Sequence, residues 1–222
     1  MKRLVKICGL SDAATLEAAI SAGADMVGFV FFPKSPRHVS LQAARMLGER
    51  ARGRSKIVAL TADADDKTLD DIFDALAPDI VQLHGRETPE RVIAIGRRYR
   101  RPTMKAIGVA AREDFVAVDR YAGATDYLLI DAKPPRTAIL PGGNGLSFDW
   151  ALARGFAPSG PWLLSGGLDA NNVEQAIMEA DAFGVDVSSG VERARGEKDP
   201  ERIRMFVAAA RRAFARAAEI VS

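Results

Sequence analysis

One regularity constrains this chain more than any other: eight short β-branched or apolar runs alternate with alanine-rich segments of helical period. The runs are Leu4–Cys8, Met26–Phe31, Lys56–Leu60, Ile80–Leu83, Thr103–Ile107, Tyr127–Ile130, Trp162–Leu164 and Val185–Val187. The helical pattern falls on Asp12–Ala22, Leu41–Ala51, Asp66–Leu76, Pro89–Tyr99, Arg112–Tyr121, a short piece near Phe148–Ala153, Ala170–Ala180 and Pro200–Ala217. Ser40 is placed to cap the second helix, and Thr88-Pro89 and Asp199-Pro200 put proline at a first helical position. Strands apolar on both faces make a buried parallel sheet. Such a sheet is either doubly wound and open or closed into a barrel. The open form lacks its nucleotide signature here, because Cys8-Gly9-Leu10-Ser11-Asp12 follows the first run in place of G-x-G-x-x-G. The expectation is therefore an α/β fold, a single (β/α)8 TIM barrel spanning residues 1–222, close to the roughly 250 residues typical of that fold. No linker, low-complexity tract or repeat stronger than the βα unit is expected.

Composition sets the class of partner. Hydrophobic residues make up 48% and charged residues 27%, the balance of a globular protein with enough apolar side chain for a substantial core. A net charge of +2 gives no global attraction to nucleic acid or to an anionic membrane. The arginine-rich stretch 202–216 also carries Met205, Phe206, Val207 and Phe214, which predicts an amphipathic helix with a solvated basic face. A single cysteine excludes an intramolecular disulfide and fits a reducing cytoplasm. No signal-peptide core or membrane-spanning run is read. The expected partner is a small phosphorylated molecule, with no nucleic acid and no membrane, on a monomer or homodimer.

In a barrel, chemistry resides at the C-terminal ends of the strands. The two long connections, 32–39 and 131–147, both follow strands and so belong to that face. Ser165-Gly166-Gly167 follows the seventh run, and Asp186-Val187-Ser188-Ser189-Gly190 closes the eighth. Glycines admit an anion close to the backbone, while N–H groups and serine hydroxyls supply donors. Either turn alone is also an ordinary tight βα connection. Together, on adjacent strands, they mark a phosphate site. Cys8, at the mouth of the first strand, is either a small buried hydrophobe or a nucleophile or base, and Lys6 at i−2 is not expected to act on its thiol directly. Asp131 either initiates a turn or presents a semi-enclosed carboxyl able to donate a proton, with the loop Pro141-Gly142-Gly143-Asn144-Gly145 suited to closing over a ligand. Arg37 is either solvated or forked onto a substrate carboxylate. His38 and His84 are the only histidines and form no ligand-spaced cluster, so they are read as supporting residues and no metal is expected. No G-x-S-x-G nucleophile elbow occurs.

With these residues placed, the chain resembles the phosphoribosylanthranilate isomerase family, nearly end to end. The resemblance is carried in order by Lys6-Ile7-Cys8-Gly9, Gly28-Phe29-Val30-Phe31, Ser35-Pro36-Arg37, Gln82-Leu83-His84-Gly85, Leu129-Ile130-Asp131 and Gly142-Gly143-Asn144-Gly145. Phe148-Asp149-Trp150, Ser165-Gly166-Gly167-Leu168 and Gly184 through Glu192 complete it. The resemblance implies an Amadori rearrangement in tryptophan biosynthesis, converting an aminoaldose into an aminoketose without cofactor. It further implies Asp131 as general acid, Cys8 as general base, Arg37 on the anthranilate carboxylate, and Gly166, Gly167, Ser188 and Ser189 on the phosphate. Asp186 belongs to the same substrate-binding group. Asn144 stands where the family commonly has threonine, and Ser165 where alanine is usual. Lys133-Pro134-Pro135-Arg136 lengthens the variable loop. The related isomerase of histidine biosynthesis would need an aspartate at the end of strand one and a second phosphate turn. Here Thr61-Ala62-Asp63-Ala64-Asp65-Asp66 is acidic instead. A non-catalytic sensor of phosphorylated metabolites would need the turns but neither Cys8 nor Asp131.

Overall fold

A computed structural model describes residues 2–133, 142, 147–156, 158 and 160–221. Eight parallel strands close into a barrel in chain order: β1 (Leu4–Cys8), β2 (Met26–Phe31), β3 (Lys56–Thr61), β4 (Ile80–Leu83), β5 (Thr103–Val109), β6 (Tyr127–Ala132), β7 (Trp162–Leu164) and β8 (Gly184–Val187). Closure comes from β1 pairing with both β2 and β8, a register that sets Cys8 beside Gly28 and Lys6 beside Asp186. The (β/α)8 expectation is met.

Side chains alternate across each strand, so every second residue points into the barrel. Met26, Val58, Ile80, Met104, Ala106, Leu129 and Leu163 fill its lower interior, and Cys8, Val30 and Leu60 pack above them. The opposite parity, including Val5, Ile7, Val27, Phe29 and Ile57, joins the helices in the larger outer core. The same alternation that buries these aliphatics carries Cys8, Asp131 and Asp186 to the barrel mouth.

The helices are α1 (Ala13–Ser21), α2 (Leu41–Ala51), α3 (Asp66–Leu76), α4 (Pro89–Tyr99), α5 (Phe115–Asp119), α6 (Val173–Ala180) and α7 (Pro200–Val221). Ser40 caps α2 by accepting from the Ala43 amide at 3.1 Å, and Thr88 accepts from Arg91 N ahead of Pro89, as expected. Three helices fall short of the sequence pattern because local side chains compete for the backbone. Asp114 draws the Ala110 and Ala111 amides into a 3-10 turn over Arg112–Asp114, leaving only five residues for α5. After β6, Trp150–Ala153 is a 3-10 turn and not an α-helix. Asp169 Oδ1 accepts from the amides of Asn171 and Asn172, which delays α6 to Val173. A hairpin that periodicity does not reveal, β9 (Glu192–Ala194) with β10 (Glu197–Lys198), follows β8. Among the described residues no helix is long and apolar enough to cross a membrane.

Candidate active site

One cleft at the C-terminal ends of the strands is lined by Cys8, Arg37, Asp131, Gly166, Gly167, Asp186, Ser188 and Ser189, the full set singled out from sequence. Its chemistry divides into three groups.

The first surrounds Cys8, which is 3% exposed. Lys6 is wholly buried, and its Nζ lies 2.7 Å from Asp186 Oδ1, while Ser165 Oγ donates to Asp186 Oδ2 at 3.2 Å. Both oxygens of Asp186 are thus engaged by protein groups. Gly28 makes room for the cluster, since a Cβ there would meet Cys8 Sγ at 3.0 Å and Lys6 Nζ at 3.4 Å. Burial pushes the thiol above its ordinary value; Lys6 and Lys198 pull it down, and the Asp186 carboxylate pushes it up again. The ammonium of Lys6 is penalised by burial but held above its usual range by Asp186 and Cys8. The expectation that Lys6, at i−2, does not act on the thiol directly is corrected: both side chains enter the barrel together, and the Lys6 charge bears on the thiol.

The second group surrounds Asp131, which is 5% exposed. Its Oδ1 accepts from the Ala132 amide at 2.8 Å, and its Oδ2 lies 3.3 Å from His84 Nε2. Gln82 Nε2 sits 3.0 Å from His84 Nδ1, so with Gln82 as donor the ring proton is on Nε2, facing the carboxylate. His84 is therefore the partner of Asp131, its position secured by the β4–α4 turn. Lys105 Nζ braces that turn through Leu83 O, Gly85 O and Glu87 Oε2 at 3.1, 2.7 and 2.8 Å. Gly142 closes on the pair, since a Cβ there would fall 2.5 Å from both Asp131 Oδ2 and His84 Nε2. The remaining loop residues read as a lid, Pro141 and Gly143–Gly145, and Pro134, Pro135 and Arg136, lie outside the described residues. Lys133 is turned outward to Asp114, at 2.5 Å.

The third group is the pair of turns after β7 and β8. Gly166 and Gly167 have φ of +88° and +66°, a left-handed backbone that glycine adopts without strain. A Cβ on Gly166 would meet Ala132 N at 2.7 Å and Asp131 Oδ1 at 3.2 Å, so this glycine also lets β7 approach the acid. Asn172 Nδ2 donates to Gly167 O at 2.9 Å and fixes the first turn. Ser189 opens a 3-10 turn, Ser189–Val191, and Ser188 and Ser189 both line the cleft.

Arg37 is 4% exposed, not solvated. Its Nε and Nη2 donate to Glu192 Oε1 and Oε2 at 2.6 and 2.9 Å, so one edge of the guanidinium is already occupied and Nη1 has no partner among the described residues. Only its end edge is open to a ligand carboxylate. Glu192 and Lys198 were not legible as site residues; the signal available was a charged pair six apart directly after the serine turn. Burial favours the neutral acid at Glu192, but Arg37 and Lys198 hold its carboxyl down at about 2. Among the described residues no group of three or more His, Cys, Asp or Glu side chains could hold a metal ion.

Known proteins share this architecture. A family model of N-(5'-phosphoribosyl)anthranilate isomerase matches residues 5–209. The chain is 55% identical over 211 residues to the Rhodopseudomonas palustris (strain HaA2) protein of that name, covering 95% of this chain and 97% of that one. Phosphoribosyl anthranilate isomerase from Thermotoga maritima has the same fold with a TM-score of 0.85 at 34% identity, covering 95% of this chain and 99% of that one. A phosphoribosyl anthranilate isomerase in complex with reduced 1-(o-carboxyphenylamino)-1-deoxyribulose 5-phosphate gives 0.80 at 32% identity, with coverage of 95% and 99%. A match over nearly the whole barrel means that the chain belongs to the N-(5'-phosphoribosyl)anthranilate isomerase family.

Proposed function

We propose that residues 1–222 act as one catalytic domain. Its reaction is the Amadori rearrangement of N-(5'-phosphoribosyl)anthranilate to 1-(2-carboxyphenylamino)-1-deoxyribulose 5-phosphate in tryptophan biosynthesis. The observation that carries the reading is the meeting of Cys8 and Asp131, from β1 and β6, in a cleft that also contains the glycine–serine turns and Arg37.

Asp131 enters the cycle as the protonated acid and gives its proton to the ribose ring oxygen; the C1'–O bond breaks, the substrate nitrogen forms a cationic Schiff base, and Asp131 is left as the carboxylate that His84 Nε2 faces. His84 keeps the carboxyl in place throughout. The new cation acidifies C2'–H and favours a neighbouring thiolate by opposite-charge attraction. Cys8 then removes that proton, the electron pair moves toward nitrogen, and the resulting enolamine tautomerises to the ketose. Because burial and Asp186 favour the protonated thiol in the free cleft, Lys6 and Lys198 are the charges that make its thiolate reachable. The turns at Gly166, Gly167, Ser188 and Ser189 hold the phosphate, and the end edge of Arg37 holds the carboxylate. Two anchors fix the reacting carbons between acid and base, so that both proton transfers start from a positioned substrate. Asp186 serves as counter-ion to Lys6, since its oxygens are occupied and a carboxylate repels phosphate. The cleft is assembled from one chain, so monomer and homodimer serve this reading equally, and a cytoplasmic location accords with a phosphorylated metabolite as substrate.

The test is loss of anthranilate-substrate fluorescence with purified enzyme. Cys8→Ser and Asp131→Asn are each expected to lower kcat by about 10²–10⁴-fold, the usual contribution of a positioned acid or base. Near-wild-type kcat in both variants refutes the assigned roles. Wild-type protein that binds phosphate without turnover would instead indicate a sensor.

A further inference from the structure

We infer that Glu192 and Lys198 form one buried positioning unit that supports both anion grips of the cleft, the Arg37 guanidinium and the Ser188 turn. The inference deepens the proposed function and rests on it for the identity of the two anions.

A single carboxylate oxygen joins the two grips. Glu192 Oε1 accepts from Arg37 Nε at 2.6 Å and from Lys198 Nζ at 2.7 Å. The same ammonium continues to Ser188, donating to its carbonyl at 2.8 Å and its hydroxyl oxygen at 3.1 Å. Glu192 Oε2 takes Arg37 Nη2 at 2.9 Å and the Gly196 amide at 3.0 Å. Arg37, Glu192 and Lys198 are 4, 7 and 5% exposed, so these bonds have little competition from water.

The backbone keeps this arrangement rigid. Gly196, at φ +87°, turns the β9–β10 hairpin so tightly over the Pro36 segment that a Cβ would lie 2.9 Å from Pro36 O. The stem of Arg37 passes over Gly9, where a Cβ would lie 2.7 Å from Arg37 Cδ. Arg37 is thereby fixed from both sides, immediately beyond Cys8. Two cations share one carboxylate, which leaves one unit of positive charge buried between the grips. Burial and the nearby Arg37 charge depress the Lys198 ammonium, while Glu192 opposes them. An anion entering either grip completes the compensation, so the unit senses both ends of the substrate.

Glutamine at position 192 has the shape of glutamate but one acceptor oxygen where there were two. Its amide nitrogen would face a donor, so one of the bonded sets must break. Removing the Lys198 ammonium frees Ser188 and leaves the Glu192 carboxylate to Arg37 and the Gly196 amide. A residue serving only one grip would weaken only one anion.

The experiment measures inhibition of the full-length enzyme by inorganic phosphate and by anthranilate as separate probes, with direct calorimetric binding of each. Lys198→Met and Glu192→Gln are each expected to weaken both probes by about tenfold or more, the scale of a lost charge-assisted bond. Arg37→Lys should weaken anthranilate alone, and Ser189→Ala phosphate alone. Weakening of one probe or neither in Glu192→Gln overturns the inference, and that variant decides alone should Lys198→Met not fold. If wild-type protein shows no turnover, the proposed function fails, while calorimetry still reads whether the two anion sites share this unit.

Discussion

Cys8 lies among charges of both signs: Lys6 from its own strand, Asp186 from β8 and Lys198 from the hairpin beyond it. Burial dominates and raises the thiol, and Asp186 adds to it, so thiolate forms only above the ordinary cysteine range in the free enzyme. Because the chain contains a single cysteine, alkylation by iodoacetamide reads this group without interference. The wild-type rate is expected to rise with pH and reach half its maximum above the value of a free cysteine. Asp186→Asn removes a like charge and leaves Lys6 to Cys8, so the midpoint moves to lower pH. An unmoved or higher midpoint would show that Asp186 does not bear on the thiol. Its position at the mouth of β1 made Cys8 a candidate, and the family resemblance implied its role. Sequence could not indicate Lys6, because the influence of a residue two places back depends on both side chains entering a water-poor barrel, which is a tertiary property. Arg37 was legible as a candidate for the cleft, but not its pairing with Glu192, which lies 155 residues away.

At the level of elements, the β7 and β8 turns are interlocked. A Cβ on Gly190 would lie 1.8 Å from Leu168 O, inside the backbone of the neighbouring turn. The glycine pair, the serine pair and Gly190 are therefore packed as one unit. Gly190→Ala must push the turns apart. It is expected to cost about 1–3 kcal/mol of stability, as overpacking does, and to raise KM far more than it lowers kcat. A variant with unchanged KM would separate Gly190 from substrate binding; urea unfolding and initial-rate kinetics make both measurements. Strand positions were legible because the apolar runs are buried on both faces. Helix lengths after β5, β6 and β7 were less so, because Asp114, Asp149 and Asp169 spend their carboxylates on nearby amides and tighten or delay the turns. The β9–β10 hairpin is too short and too charged to carry a pattern.

Across the whole molecule, the barrel repeats in pairs of strands, a period longer than the βα unit expected from sequence. Asp25, Asp79 and Asp126 each precede an even strand and exchange two bonds with the odd strand before it. Val5 N, Ile57 N and Thr103 N donate to the three carboxylates at 2.8 Å. The amides of the same aspartates donate back to Val5 O, Ile57 O and Thr103 O at 2.9, 2.9 and 3.1 Å. Gly-Ala-Asp25-Met-Val, Ala-Pro-Asp79-Ile-Val and Ala-Thr-Asp126-Tyr-Leu carry the device in sequence, where each aspartate resembles ordinary turn punctuation. The fourth pair lacks it: β8 opens on Gly184, where a Cβ would meet Leu4 O at 2.9 Å. There Arg211 of α7 binds Arg3 O at 2.9 Å and Asp25 Oδ2 at 2.5 Å, tying the last helix to the first strands. These bonds lie at the N-terminal end of the barrel, away from Cys8 and Asp131, where substitution is felt as stability. Asp79→Ala strands the Ile57 amide and should cost about 1–3 kcal/mol, with kcat unchanged. Asp25→Ala should cost more, because Asp25 also receives Lys2 and Arg211. For a chain of this size each kcal/mol lowers Tm by about 2–4 °C, so calorimetry resolves the order. Equal losses in the two variants would mean that Arg211 adds nothing to closure, and a fall in kcat for Asp79→Ala would mean that the two ends of the barrel are coupled.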